Sequence, residues 1–320
     1  MAHLMRSSKS QALRLRSLDL SVSRSLALRR SRRIASNYPR ATVRLQHGLS
    51  ANNSFRTYYS TPTNIASGPS HLKQTLTPAL LQHVRNFWFD HLSSEDALIL
   101  PGQSEMKRWF MRDSEFDQAC VAQFQPALEA IIASDASATE ILDAVDTSSP
   151  LTWLSILLLL DQVPRNCYRG DDSKLVFSRF DPLAEEIALR AVDAGIPTQD
   201  SHLRYRLSYR LWFHLPLMHS ENLAVHEKAI QMHEETAKDM HDFVRGDASG
   251  LDNDEKRCYN VLSSQQDALD MFLSTMLDFE KKHKVIIERF RRYPHRNAPL
   301  GRISTAEETE YLESGGETFT

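Results

Sequence analysis

The sequence predicts an all-α fold, a single helical domain behind a basic N-terminal segment. Three observations predict it. Apolar residues recur at steps of three and four over long stretches. Cap and stop residues bracket those stretches. No alternating β-branched run is bounded by turn dipeptides, so strands are not expected.

The elements follow in order. Thr77-Pro78 reads as a cap and a first-turn proline, opening a helix with Leu81, Val84 and Trp88 on its apolar face and His91 one turn further on. Asp113 caps a second helix carrying Phe116, Cys120, Phe124, Leu128 and Ile131. Residues 138–146 form a short third. Pro150 opens a very apolar fourth, expected to stop near Pro164 because proline lacks the amide an interior turn needs. Asp181-Pro182 repeats the cap-plus-proline signal, and Gly195 reads as a stop after Ala191 and Val192. Residues 203–213 continue the pattern up to Pro216. Ser220 is the expected cap of a helix reaching about Phe243, with Glu221 in its first turn, where the helix dipole favours an acid. Leu262, Leu269, Phe272, Met276, Phe279, His283, Ile286 and Phe290 form one stripe, read as one helix of about eight turns. His283 on that stripe is expected to be a satisfied core histidine. Ser304 and Glu307 have the spacing of a capping box for a short last helix that buries Tyr311 and Leu312. No fixed repeat period stands out.

Charge divides the chain. Residues 1–59 hold 12 of the 38 Lys and Arg but only one acid, Asp19, and carry about +11; the rest has 26 bases and 40 acids, about −14. An Arg- and Ser-rich, acid-poor start matches a mitochondrial targeting presequence, and Arg56-Thr57-Tyr58-Tyr59-Ser60 resembles a matrix-processing site. The expected organisation is therefore a disordered presequence over 1–59, a Pro/Gly/Ser/Thr-rich linker over 60–75, one helical domain over 76–313 and a disordered tail over 314–320. About 240 residues can bury a substantial core. The longest apolar stretch, 150–160, is too short to span a bilayer and ends in Asp161. The acidic balance after residue 59 disfavours nucleic acid. Cys120, Cys167 and Cys258 are too far apart for a metal ribbon or a disulfide framework.

Chemistry concentrates in three polar segments: 161–170, 216–221 and 289–302. Asp161 and Gln162 follow directly on the most apolar helix. The third segment, extended to 306, has five arginines, one histidine and no acid. Clustered guanidiniums can clamp a phosphate or carboxylate, or they can pair with the acids that the domain has in excess. His219-Ser220-Glu221 does not make a triad, because neighbours on one backbone point in different directions; His219 alone remains a candidate base. The loose spacing of His214, His219, Glu221 and His226 lacks the His-Glu-x-x-His pattern, so no metal is expected. Glycine-rich phosphate loops, a Gly-x-Ser-x-Gly elbow and dinucleotide fingerprints are missing, and no cofactor is expected.

LDQVPRNCYRG, PLMHSE and RFRRYPHRNAPLGRISTAEE, with Phe87-Trp88-Phe89, Lys107-Arg108-Trp109-Phe110 and Asp117, resemble the diagnostic segments of the domain of unknown function 924 family over roughly 80–313. The resemblance implies an all-helical, tetratricopeptide-like fold and no particular reaction. By motif match it carries over Asp161, Gln162, Arg165, Asn166, Arg169, His219, Glu221, Arg289, Arg292, His295, Arg296, Asn297 and Arg302. The chain departs at Arg291, where the family pattern usually has glycine. Either the turn is looser there or a close approach to a ligand is altered.

Three functions follow as expectations. The first is a binding module whose three segments converge on a mouth for a small anion or a peptide carboxylate, lined by Arg165, Arg169, Arg292 and Arg296. The second is a hydrolytic enzyme with His219 or His295 as general base, oriented by Asp161 or Glu221. The third is an interaction scaffold with no pocket.

Overall fold

The structure is a computed structural model that describes residues 69–319. Among the described residues there are helices and no strands. In chain order they are α1 (Pro69–Thr75), α2 (Pro78–Phe89), α3 (Glu95–Ile99), α4 (Gln103–Phe110), α5 (Ser114–Ser134), α6 (Ala138–Asp143), α7 (Pro150–Leu157), α8 (Val163–Cys167), α9 (Ser173–Leu175), α10 (Asp181–Asp193), α11 (Ile196–Gln199), α12 (Ser201–Arg204), α13 (Leu207–Arg210), α14 (Leu215–Met218), α15 (Leu223–Arg245), α16 (Asn253–Ser264), α17 (Gln266–Phe290) and α18 (Ala306–Glu313). The expected presequence lies outside the described residues.

The first caps form as the sequence implies. The Thr77 hydroxyl accepts from the Leu80 amide, and Asp113 accepts from Glu115 and Phe116. Leu81, Val84 and Trp88 face inward, as do Phe116, Cys120, Phe124, Leu128 and Ile131. Leu157 to Leu160 are fully buried at the centre of the main core, each side chain contributing on the order of 2 kcal/mol by leaving water. Trp88, Trp109 and Trp212 meet edge to face, and the Trp109 indole donates to the Trp88 carbonyl. On α15 and α17, His226 meets Glu280 while His241 meets Asp270. That reversed order makes the two helices antiparallel.

Several boundaries depart from expectation. The linker expected over 60–75 contains α1, whose Leu72 is buried together with Leu76 just beyond its end; this i,i+4 pair was hidden in a turn-like composition. Of the tail expected to be disordered over 314–320, the described residues 314–319 fold back, with Phe319 stacked on the His283 ring and Lys282 paired with Glu317. The stripe expected to be one helix from 262 breaks at Gln265, leaving Leu262 on α16. The last capping box sits one residue later, between Thr305 and Glu308. Asn222, not Ser220, caps α15, and Glu221 lies ahead of the helix. His283 is buried and bonds the Phe279 carbonyl, which satisfies it locally.

Two prolines explain the most consequential departures. The apolar helix does not stop near Pro164. It widens into a π turn over Leu158–Gln162, closed by the Val163 amide on the Leu158 carbonyl, and then continues as α8. The same happens over Val176–Phe180, where the Asp181 amide reaches the Val176 carbonyl, so Asp181 is a helical residue and not a cap. A proline ring clashes with the carbonyl four residues before it and supplies no amide to it. An i→i+5 turn just ahead moves that carbonyl aside, which lets Pro164 and Pro182 sit inside continuous helix.

Candidate functional site

Both π turns hand an aspartate to the same buried place. Asp161 stands on the first and is 1% exposed; Asp181 follows the second and is 6% exposed. Arg165, one turn after Asp161, spans the two, with Nη2 3.4 Å from Asp161 Oδ1 and 2.5 Å from Asp181 Oδ1. Arg296, 5% exposed, places Nη1 3.3 Å from Asp181 Oδ2 and stacks over Tyr293 and Phe177. His219 completes the chain of contacts, its Nδ1 2.7 Å from Asp161 Oδ1. Gln162 donates to the other Asp161 oxygen, and Asn166 donates to the Gln162 carbonyl.

Two carboxylates and two guanidiniums balance one another, and the His219 side chain beside them is partly exposed. Burial alone would push the Asp161 carboxyl up; His219 and Arg165 outweigh it and hold the carboxyl at about 2. Burial also opposes the charge of Arg165, but Asp181 and Asp161 raise it instead. His295 lies beside this group, and neither ring nitrogen has a hydrogen-bond partner. Burial first, then Arg296, Arg165 and His219, push it down to about 3. His295 therefore stays neutral at ordinary pH and is too weak a base for the role expected of it.

The three polar segments converge only in part. Asp161, Arg165, His219, His295 and Arg296 gather at one place. Glu221 ties two segments together, accepting from the Tyr293 amide at 3.0 Å and from Arg302 at 2.8–2.9 Å, which does not leave it free to orient a base. Arg169 pairs with Asp117 and Asn166. Arg289 pairs with Glu307, and Arg292 with Glu308 and the Ile303 carbonyl. Asn297 donates to Ser304 and Glu308. Arg289 and Arg292 rim a shallow open hollow with Thr305 and Glu307, not the place where Arg296 lies buried. The expected mouth lined by Arg165, Arg169, Arg292 and Arg296 is thus not one recess: Arg165 and Arg296 share Asp181, while Asp117 claims Arg169 and Glu308 claims Arg292 elsewhere.

Asp181 is the site residue that sequence reasoning missed. Its Asp-Pro pair looked like a helix start. The available signal was the recurrence of proline shortly after an aspartate at both 164 and 182. Asp161, Asp181 and His219 offer ligand atoms within 4.8 Å of one another, a spacing that suits a cation. Arg165 and Arg296 already neutralise both carboxylates, so a divalent ion would bring uncompensated charge to a buried place.

Arg291 caps α17 in the left-handed region, with φ 61° and ψ 8°. The turn is therefore kept in the geometry that favours glycine, not loosened.

A second buried polar cluster lies apart from the site. His214 and His233 are 4.3 Å apart between ring centroids and line a small interior cavity with Arg210, Thr236 and Met276. Burial, with His233 and Arg210 adding to it, pushes His214 well down; burial and Arg210 bring His233 to about 4.

Residues 84–316 match a family described as bacterial protein of unknown function (DUF924). A solved structure of a protein of unknown function from Agrobacterium tumefaciens is 26% identical, with a TM-score of 0.49, and the similarity covers 74% of this chain and 98% of that one. No curated protein matches.

Proposed function

The chain belongs to the DUF924 family, and from that premise we propose that His219 is the general base of a hydrolytic enzyme, with Asp161 orienting it. One observation carries the reading: a buried carboxylate 2.7 Å from the Nδ1 of a partly exposed imidazole. A carboxylate accepting from Nδ1–H selects the tautomer whose Nε2 lone pair can take a proton from water or substrate. Arg165, held against Asp161, helps keep that carboxylate ionised. The π turn that delivers Asp161 is a kind of distortion that recurs at functional sites.

The test is a panel of carboxylic esters, phosphoesters and amides offered to the full chain at neutral pH. Turnover of at least one class is expected. His219→Gln should then lower kcat/KM by about 100-fold or more, the usual scale of general-base catalysis, with the melting temperature nearly unchanged. No turnover across the panel, or turnover indifferent to His219→Gln, would overturn the reading.

A second reading is favoured by unpaired donors. Arg165 Nε, Arg296 Nε and both His295 ring nitrogens, one of them a donor in the neutral ring, are buried without partners. A small anion or a peptide carboxylate could satisfy them. Phosphate, acetate and a short peptide in a thermal-shift titration of the full chain test it. Saturable stabilisation lost in Arg296→Gln supports it; no shift with any of the three overturns it.

For residues 1–59 we propose mitochondrial import to the matrix, from their Arg- and Ser-rich, acid-poor composition. A fluorescent reporter behind residues 1–75 should reach the matrix and remain outside when Arg14, Arg16, Arg24, Arg29 and Arg30 are changed to Gln.

A further inference from the structure

His219 sits in the short turn between α14 and α15, and a turn this short does not fix a side chain by itself. Here the carbonyls on both sides of His219 are held by buried side chains from elsewhere. Before it, the Met218 carbonyl accepts from the Tyr293 hydroxyl at 2.6 Å. After it, the Ser220 carbonyl accepts from His226 Nε2 at 2.8 Å. His226 is in turn fixed by Glu280, Nδ1 to Oε1 2.6 Å, and both side chains are fully buried.

We propose that Tyr293, His226 and Glu280 are positioning residues that hold the His219 imidazole against Asp161, a role that rests on His219 being the proton-transferring group. Donor accounting supports the assignment. A carbonyl only accepts, so His226 Nε2 carries a proton and gives it to Ser220. Nδ1 faces a carboxylate, so a second proton lies between His226 and Glu280. Tyr293 has one proton, spent on Met218; its oxygen is 3.4 Å from His226 Nε2, a long contact. Burial drives the Tyr293 hydroxyl well above its usual range, which keeps that donor in place. The loop that supplies Tyr293 also supplies Arg302, and the Tyr293 amide and Arg302 grip Glu221, two residues after His219. The α15–α17 pair and the 293–302 loop therefore lock one turn from two directions. This gives the His226–Glu280 pair, which touches none of Asp161, Arg165 or Asp181 by hydrogen bond, a reason to be ionisable and buried.

The test reads His219 directly by imidazole proton–nitrogen NMR of the full chain. The His219 signals are assigned by their loss in His219→Gln. Tyr293→Phe keeps the ring and removes one hydroxyl. It should speed solvent exchange of the His219 Nδ1 proton by about tenfold, the scale of one lost buried hydrogen bond. Ser208→Ala is the control, since it removes a buried hydroxyl bonded to the Ala97 carbonyl at 2.7 Å, away from the hydrogen bonds that hold this turn. It should lower stability comparably and leave His219 as in the wild type. Equal effects of the two variants on His219, or none from Tyr293→Phe, overturn the proposal. Should Tyr293→Phe not fold, Glu280→Gln, which keeps shape and removes the charge, takes its place: faster exchange at His219 than in Ser208→Ala supports the proposal, and equal exchange overturns it. No substrate is needed, so an empty substrate panel and a failed positioning role are separate results.

Discussion

His219 and Asp161 are 58 residues apart in sequence and 2.7 Å apart in space, imidazole Nδ1 to carboxylate Oδ1. The contact joins the turn before α15 to a π turn inside the most apolar helix. The charges around it, and three features elsewhere in the fold, each have a measurable consequence.

Asp161 balances Arg165 and His219 from a position 1% exposed. Asp161→Ala should lower stability by about 3–5 kcal/mol, because it leaves Asp181 alone to balance both Arg165 and Arg296. Asp161→Asn, which still accepts a hydrogen bond, should cost less. Urea unfolding followed by circular dichroism measures both. A loss under about 1 kcal/mol for the alanine variant would mean that solvent already reaches Arg165.

Arg291 is exposed and held at φ 61°. A side chain other than glycine costs about 1–2 kcal/mol in that region. Arg291→Gly should therefore raise the melting temperature by about 3 °C or more, given the size of the domain. An unchanged or lower value would show that the arginine makes a compensating contact.

Acid should weaken the fold in two stages. A histidine held at about 4 is neutral when folded, whereas the unfolded chain protonates it at its ordinary 6.5. The contribution of His233 is thus complete above 6.5 and lost as pH falls toward 4, on the order of 3 kcal/mol. His214 adds to the same decline. Asp161 and Glu308, both held near 2, contribute above the ordinary carboxylate range and are lost as pH falls from about 4 toward 2. Denaturant midpoints across this range should fall, and His233→Gln should flatten the first stage. Equal slopes for wild type and His233→Gln would sink the assignment.

Phe319 stacks on His283 with centroids 3.4 Å apart and lies near Tyr293. Phe319→Ala should cost about 1 kcal/mol, the scale of a partly buried aromatic pair. Hydrogen exchange at the end of α17 should rise with it. Exchange identical to wild type would mean that the tail does not dock.

How much of this was legible in the sequence differs by element. Local signals located α2 and α5, because a cap, a proline and a three-four spacing act within one or two turns of chain. They misplaced what depends on a neighbour. Ser220 looks as good a cap as Asn222 until the Ser220 hydroxyl is seen accepting the Asn222 amide. Pro164 looks like a stop until the packed core around Leu157–Leu160 makes a widened turn less costly than an ended helix. The segment around Leu72 becomes a helix only because a core exists to receive Leu72 and Leu76.

The all-helical class, the cap and spacing of the long helices, the acidic domain behind a basic start and the family motifs were determined by the sequence itself, since each depends on composition or on residues close together along the chain. Which polar groups meet was decided only by tertiary structure. Asp161, Asp181, His219 and Arg296 come from four separate elements, and charge pairing is set by distance in space: the same arginine is a clamp or a neutralised partner according to the carboxylate that packing brings beside it.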